Sequence, residues 1–383
     1  MKKLLFVFVL FFSISLALLP SPFAYAISDN IQAKACVLVD YNTGKVLYEQ
    51  NANDKYPVAS IVKLMTILLT LESIESGNIS VDDKVVASVS SSSMGGSQVF
   101  IEEGGEYSVG DLLKSVIISS ANDASVLLAE TIAGSEDNFV SLMNEKVRAL
   151  GLENTNYANC TGLPAPNQYS SAKDCAMILK EVSKHNLYHK YSNIWIDKLS
   201  HPKGRETELV NTNKLIRYYK GCVGGKTGST GEAGYCLSAV ASRGGMKLIA
   251  VVLGTESSKE RFAQTSKLFD YGFSTFENKK IVAKGESLDS LVSVSGGKNN
   301  KVTGAYAEDF YYICNKTDKQ EIVTEIKIEK QIKAPVKKGD KLGCVYIAAG
   351  GKIIGEVDIV AKEDVAKVTI LDNLGKIAEN YFL

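Results

Sequence analysis

Three histidines and a single tryptophan in 383 residues leave little room for imidazole-based chemistry. His185 and His189 stand at i, i+4, but no glutamate lies between them in the metalloprotease frame, and His201 is the third. That pair reads as a solvated helix face rather than a metal site, and Trp195 as packing. Net charge is also missing: 43 Lys plus Arg balance 43 Asp plus Glu. That balance gives no support for a nucleic-acid partner, which would need a basic face. Cysteine numbers seven, with no C-x-x-C pair. The odd count, without that spacing, argues against a dense disulfide framework or a zinc site, although one bridge stays open. Cys36 and Cys236 lie in apolar strand-like runs, where a free thiol behaves as a small hydrophobe.

Long apolar runs are nearly absent as well. One stretch, Leu4 to Leu19, follows Lys2 and Lys3 and precedes Pro20, Pro22 and the small-x-small sequence Ala24-Tyr25-Ala26. It is short for a membrane span and lacks a basic stop-transfer flank. Residues 1–26 therefore read as a signal peptide, with export and an extracytoplasmic location to follow.

What remains is patterned. Residues 34–49 alternate like two paired strands turning through Asn42-Thr43-Gly44. From 60 to about 200 the periodicity is helical, in Ile61 to Leu71, Val109 to Ile132 and Asn138 to Leu150. Two strands follow, Gly234 to Ser242 and Met246 to Gly254, then a helix from Lys259 to Tyr271. Strands at both ends with helices between predict an α/β domain over 27–276, its two ends sharing one helix-covered sheet. Residues 277–363 carry short strands broken by Gly-rich and charged turns and predict a small all-β domain. The segment 364–383 places Ile370, Leu371, Leu374, Ile377, Ala378, Tyr381 and Phe382 on one helical face.

Three short motifs carry chemistry. Ser60 opens a helix and Lys63 follows one turn later on the same face. The helix start favours a serine oxyanion. The apolar run around Lys63 disfavours its ammonium, as a base at neutral pH requires. A bare S-x-x-K recurs by chance in many proteins. Ser120-Ala121-Asn122 falls between helical stretches; a serine there can relay a proton, and the amide can hold a substrate carbonyl or orient Lys63. Read alone, it is a helix cap. Lys226-Thr227-Gly228, after Gly224-Gly225, pairs a cation and a hydroxyl for a carboxylate with glycines that let a peptide backbone approach as an added strand. Read alone, that is a solvated turn. Ser120 follows Ser60 by 60 residues, and Lys226 follows Ser120 by 106. In that order and together, the three match the motif set of β-lactamases and penicillin-binding proteins, with Ser-Ala-Asn in place of Ser-Asp-Asn.

Val58-Ala-Ser-Ile-Val-Lys-Leu-Met-Thr66, Ser119-Ser-Ala-Asn-Asp-Ala124 and Gly225-Lys-Thr-Gly-Ser-Thr-Gly-Glu-Ala-Gly-Tyr-Cys236 resemble the low-molecular-weight penicillin-binding proteins, the serine D-Ala-D-Ala carboxypeptidases. Asp40 to Tyr48, Tyr169 to Asp174 and Leu268 to Phe273 add to the likeness, which runs from about 34 to 275. A weaker echo of the family's β-rich domain sits at Ala334 to Gly343. The resemblance implies a β-lactamase/transpeptidase-like domain, namely an antiparallel sheet flanked by helices with a helical lobe, followed by a small all-β domain. It implies Ser60 as nucleophile, Lys63 as its base and Ser120 on the proton path. Asn122, Lys226, Thr227, Gly228 and Ser229 would bind substrate, and the Ser60 and Ser229 N–H groups would form the oxyanion hole.

The implied substrate is a peptidoglycan stem peptide, with β-lactams as its mimics and no cofactor or metal. The C-terminal helix implies a peripheral membrane contact, weakened by having only Lys362, Lys367 and Lys376. Two departures stand out. Ser229 replaces a bulkier residue of several relatives, and Glu256 stands where some carry an arginine on the substrate carboxylate. Arg261 nearby is as well read as structural. The rival readings are a β-lactamase, which would need a deacylating glutamate (Glu153 and Glu181 lie in the right segment but outside a Glu-x-x-x-Asn frame), and a non-catalytic wall-binding protein.

Overall fold

The computed structural model describes residues 31–372. The stretch read as a signal peptide and most of the C-terminal amphipathic segment lie outside these residues. Among the described residues no helix is long and apolar enough to cross a membrane. All seven cysteines are free thiols.

The chain divides into two compact units. The first comprises residues up to Val39, Val46–Ser242 and Leu248–Thr275; the second comprises Asp40–Lys45, Arg243–Lys247 and the chain from Phe276 on. The first is built on strands β1 (Ala35–Asp40), β2 (Val46–Gln50), β3 (Cys222–Thr230), β4 (Gly234–Arg243) and β5 (Met246–Thr255). Their order, β2-β1-β5-β4-β3, makes the first and last stretches of the domain neighbours and leaves β3 at an edge. Every residue of β1 is buried. Such a run suits a strand covered on both faces.

The longer helices are α1 (Lys63–Glu75), α2 (Val109–Ser119), α3 (Asn122–Ala133), α4 (Glu136–Ala149), α5 (Ala172–Val182) and α6 (Ser258–Thr275). Serine side chains start three of them: Ser108, Ser135 and Ser171 accept from the backbone N–H three residues on, which satisfies donors a helix start leaves open. α6 lies close on the sheet at Gly272, where a Cβ would come within 2.5 Å of Leu248 and 2.9 Å of Leu38. Helix α1 is buried along its first six residues and sits among α2, α4, α5 and α3.

Two hairpins interrupt the stretch expected to be helical: Lys84–Val86 with Glu106–Ser108, and Ile196–Ser200 with Glu206–Val210. Their strands are three to five residues long and mostly exposed, too short for a period of two to stand out. The helical reading of Val109 to Ile132 breaks at Ser120, which takes left-handed φ 63° and ψ 32° and ends α2.

The second unit contains a four-stranded sheet, ordered Gly304–Tyr306, Lys352–Ala361, Lys341–Ala349, Ile322–Ile328, and a pair of Phe276–Val282 with Phe310–Asn315. Two of its strands run nine and ten residues, longer than the sequence spacing suggested. They turn through Gly350 and Gly351, both at positive φ, as a tight hairpin demands. Leu342, Val345, Ile347, Val357 and Ile359 form its core.

Candidate active site

The first motif starts in a 3-10 turn, Ala59–Val62, which runs straight into α1 at Lys63. Three residues of this geometry put Lys63 Nζ 3.0 Å from Ser60 Oγ. Lys63 is fully buried, and burial lowers its pKa to about 7; the neutral amine avoids the cost of an ammonium out of water. The same nitrogen donates a 2.5 Å bond to the carbonyl of Thr161. Ser60 itself is half-buried.

Ser120 occupies the left-handed corner between α2 and α3, a conformation costing an L-residue roughly 1–2 kcal/mol. The corner turns its Oγ to 2.7 Å from Lys226 Nζ, across 106 residues. Lys226 also donates to the Thr227 carbonyl at 3.0 Å. It is buried, and its pKa is held well below the ordinary lysine value by desolvation first, then by the charges of Lys63 and Arg261. The reach of the Lys63 charge to Lys226 puts the two lysines in one neighbourhood.

Asn122 begins α3 with its backbone N–H on Ser97 O at 2.7 Å and its side-chain Nδ2 on Gly95 O at 2.7 Å. Its Oδ1 is buried with no hydrogen-bond partner among the described residues. A buried acceptor left open is costly, so this atom is primed for a donor from outside the chain. Asp123 beside it is buried and accepts from the N–H groups of Val99 and Ile101, pinning the facing loop.

β3 brings the third motif alongside. A Cβ on Gly228 would stand 2.5 Å from Val58 O and 3.0 Å from Ser60 N, so the strand presses on the turn that carries Ser60. Thr227 is buried and Ser229 exposed. Gly224 and Gly225 serve another purpose than the one inferred from their position. Their missing side chains make room for protein: Tyr188 Oη lies 2.9 Å from the first imagined Cβ, and Ser238 O lies 2.5 Å from the second. Tyr188 Oη in turn accepts from Gly225 N at 2.8 Å.

The contacts bring together Ser60, Lys63, Ser120, Lys226 and Gly228; Thr227 and Ser229 flank Gly228 on β3, and Asn122 begins the helix that follows Ser120. Arg261, left open between two roles, donates from Nη1 to the Gly228 carbonyl at 3.1 Å and is buried; it braces β3 from inside. Glu256 is exposed. His185 engages Glu75 at 2.7 Å, His189 engages Ser183 O at 2.9 Å, and His201 lies between Tyr107 and Thr207. Among the described residues no group of three His, Cys, Asp or Glu could hold a metal. Glu181 pairs with Lys184, and Glu153 is exposed.

Sequence reasoning passed over the segment that faces the Lys63 amine. Asn159 Oδ1 accepts from the N–H groups of Thr161 at 3.2 Å and Gly162 at 2.7 Å. The turn aims the Thr161 carbonyl at Lys63 and seats Gly162, at φ +81°, where a Cβ would meet Ala59 O and lie 2.9 Å from Ser60 N. Asn-x-x-Gly is an Asx-turn signal, but nothing local says what the turn faces.

Comparison with known proteins agrees along nearly the whole described chain. The sequence profile of the family described as D-alanyl-D-alanine carboxypeptidase matches residues 23–257, and that described as penicillin-binding protein 5, C-terminal domain, matches residues 276–367. The D-alanyl-D-alanine carboxypeptidase DacF of Bacillus subtilis is 42% identical over 337 residues, covering 88% of this chain and 86% of that one. DacC of Escherichia coli, also a D-alanyl-D-alanine carboxypeptidase, is 34% identical, covering 88% and 85%. Among solved structures, penicillin binding protein 5 from Haemophilus influenzae superposes with a TM-score of 0.74 at 33% identity, covering 89% of this chain and all of that one.

Proposed function

The chain belongs to the D-alanyl-D-alanine carboxypeptidase family, and from that premise we propose that it removes the terminal D-alanine of peptidoglycan stem pentapeptides through an acyl-enzyme on Ser60. It is a serine-type carboxypeptidase with a transpeptidase-like fold. The observation that carries the residue assignment is the 3.0 Å approach of Ser60 Oγ to a buried Lys63 whose pKa is about 7.

At neutral pH about half of such an amine is unprotonated and can accept the Ser60 proton. Ser60 Oγ then bonds the carbonyl carbon of the penultimate D-alanine. The oxyanion lies against the N–H groups of Ser60 and Ser229, which Gly228 allows to stand side by side. Collapse breaks the C–N bond. The departing amine takes a proton through Ser120, which Lys226 orients, and Lys63 regains the neutral form. Water, deprotonated by the same amine, then cleaves the ester.

The substrate's terminal carboxylate meets Lys226 and Thr227. Binding an anion there favours the charged Lys226 that burial otherwise disfavours. Asn122 Oδ1 accepts from an acyl-side amide of the substrate. In this reading residues 27–276 form the peptidase domain and 277–363 an accessory β-rich domain. Residues 1–26 direct export, and 364–383 make a peripheral contact with the outer face of the cytoplasmic membrane. Work on peptidoglycan stem peptides, and a share in wall biogenesis and cell shape, follow from that placement.

The test is D-alanine release from a stem pentapeptide together with covalent labelling by a fluorescent penicillin. Both should occur in the native protein and vanish in Ser60→Ala; labelling that persists in the variant rejects the assignment. A penicilloyl adduct decaying in milliseconds rather than hours would favour a β-lactamase instead.

A further inference from the structure

The hairpin of Ile196–Ser200 and Glu206–Val210 turns through His201 to Arg205, and its tip carries a buried imidazole. His201 is 6% exposed and takes no part in the chemistry proposed above. Its partners fix its state. Nδ1 stands 2.9 Å from Arg205 Nη2 and 2.9 Å from Tyr107 Oη, and Nε2 stands 2.8 Å from Thr207 Oγ1. A guanidinium can only donate, so Nδ1 is an acceptor and carries no proton. Tyr107 Oη already accepts from Glu102 N at 2.9 Å, which leaves its own hydrogen for Nδ1. The ring is therefore neutral, with its proton on Nε2 toward Thr207.

The two groups gathered at Nδ1 hold one segment of chain. Arg205 donates to the Phe100 carbonyl at 2.5 Å and pairs with Glu102 at 3.2 Å. Tyr107, buried, holds Glu102 N. From the other side Asp123 accepts from Val99 N and Ile101 N. Between these grips Phe100 keeps a left-handed φ of 60°, although its side chain is largely exposed. A residue with a side chain stays in that region only where its surroundings over-determine it.

The same stretch sets an amide of the cleft. Ser97 O accepts from Asn122 N and Gly95 O from Asn122 Nδ2, both at 2.7 Å. Gly96 between them leaves no room for a Cβ, which would lie 2.7 Å from Asn122 Nδ2. With Nδ2 engaged by Gly95, the direction of the open Oδ1 is fixed.

We propose that His201 is a positioning residue for the reaction: its unprotonated Nδ1 gathers Arg205 and Tyr107 onto residues 99–102, and that hold fixes Asn122. The inference rests on the carboxypeptidase reading, in which Asn122 accepts from the substrate. A proton on Nδ1 removes the acceptor and sets an imidazolium against Arg205. The charged and titratable groups facing the ring are Arg205 on its own hairpin, Tyr107 on the neighbouring strand, Glu102, and Asp123 from α3. Burial first, and then Arg205, keep its pKa below the ordinary 6.5, against the pull of Glu102 and Asp123. A released ring therefore binds a proton more readily than the docked one. The hold is complete above the ordinary value and weakens as the pH falls.

Amide exchange in the full-length exported chain reads the hold directly and needs no variant. Corrected for its intrinsic pH dependence, exchange over residues 95–102 should speed about tenfold relative to α1 between about pH 7.5 and about pH 4.5. Protection that keeps step with α1 over that window overturns the proposal. D-alanine release from a stem pentapeptide is then compared in native protein, His201→Asn and His201→Phe. Asparagine keeps an acceptor near Nδ1 that does not titrate, whereas phenylalanine keeps a ring without one. The ratio of native protein to His201→Asn cancels the Lys63 titration common to both. In kcat/KM that ratio should lie near one at about pH 7.5 and fall about fivefold by about pH 4.5, through KM rather than kcat, with His201→Phe low at both. A constant ratio, or a native KM in His201→Phe, rejects the positioning role. Benzylpenicillin acylation of the native protein is followed in parallel: a native protein that neither releases D-alanine nor is acylated overturns the reading beneath the proposal.

Discussion

In the unit that carries Ser60, the buried side chains include Lys63, Lys226, Arg261, Asp123 and Asn122; from residue 276 onward no polar or charged side chain among the described residues is buried. Both units are sheet-based, and both leave an edge strand, β3 in one and Ile322–Ile328 in the other. The β-rich unit fills its interior mainly with Val, Leu and Ile. The catalytic unit accepts two desolvated amines in one neighbourhood. Burial that an ordinary core spends on packing is spent there on setting proton affinity, at a cost in stability.

The largest break of this contrast comes from removing the buried Lys63 amine. Lys63→Met keeps a linear side chain of similar length and should lower penicillin acylation roughly 10³-fold or more. Stability should move the other way. The folded pKa, about 7, lies below the ordinary 10.5, so between those values the unfolded chain binds more protons and native Lys63 weakens the fold at neutral pH. A gain of about 1 kcal/mol is expected by denaturant titration; a loss of several would mean the lysine is structural.

Ile347→Ala probes the opposite unit. It empties a fully buried apolar site and should cost about 2–4 kcal/mol, read from the unfolding transition of that unit, with acylation at 25 °C unchanged. Acylation that falls in step would erase the distinction between the units.

Gly228→Ala sharpens the role of β3. The added methyl must push away Val58 O and Ser60 N, and a displacement of that size should cost about 10²-fold in acylation while the protein stays folded. A native rate would show that the strand is not pressed on the nucleophile.

The mildest test is pH. With a base of pKa about 7, its neutral fraction, and with it the acylation rate, should rise about tenfold from pH 6 to pH 8. A rate that is flat or falls over that window contradicts Lys63 as the base.

Much of the site was readable because it is written in short strings. Ser60 and Lys63 need only one helical turn to meet, and Lys226, Thr227 and Gly228 are consecutive on one strand. Ser120 and Asn122 were readable as a motif, but not the left-handed corner that aims one hydroxyl. The two short hairpins escaped because three to five mostly exposed residues carry little periodicity. Gly224 and Gly225 misled because a glycine records that something is close without saying what. The Thr161 carbonyl, Arg261 and the meeting of His201 with Tyr107 were out of reach, since each depends on segments brought together from far along the chain.

The amino-acid sequence by itself determined the family, the three motifs that carry the proposed site and the passage from an α/β to a β-rich pattern, because those features are local in the chain or fixed by patterning. Only the tertiary structure decided that Lys63 loses its proton near neutrality, that Asn122 keeps an open acceptor and that β3 leans on Ser60. Lys63 meets Thr161 across 98 residues and Ser120 meets Lys226 across 106, and no short window of sequence records such contacts or how completely water is excluded from a site.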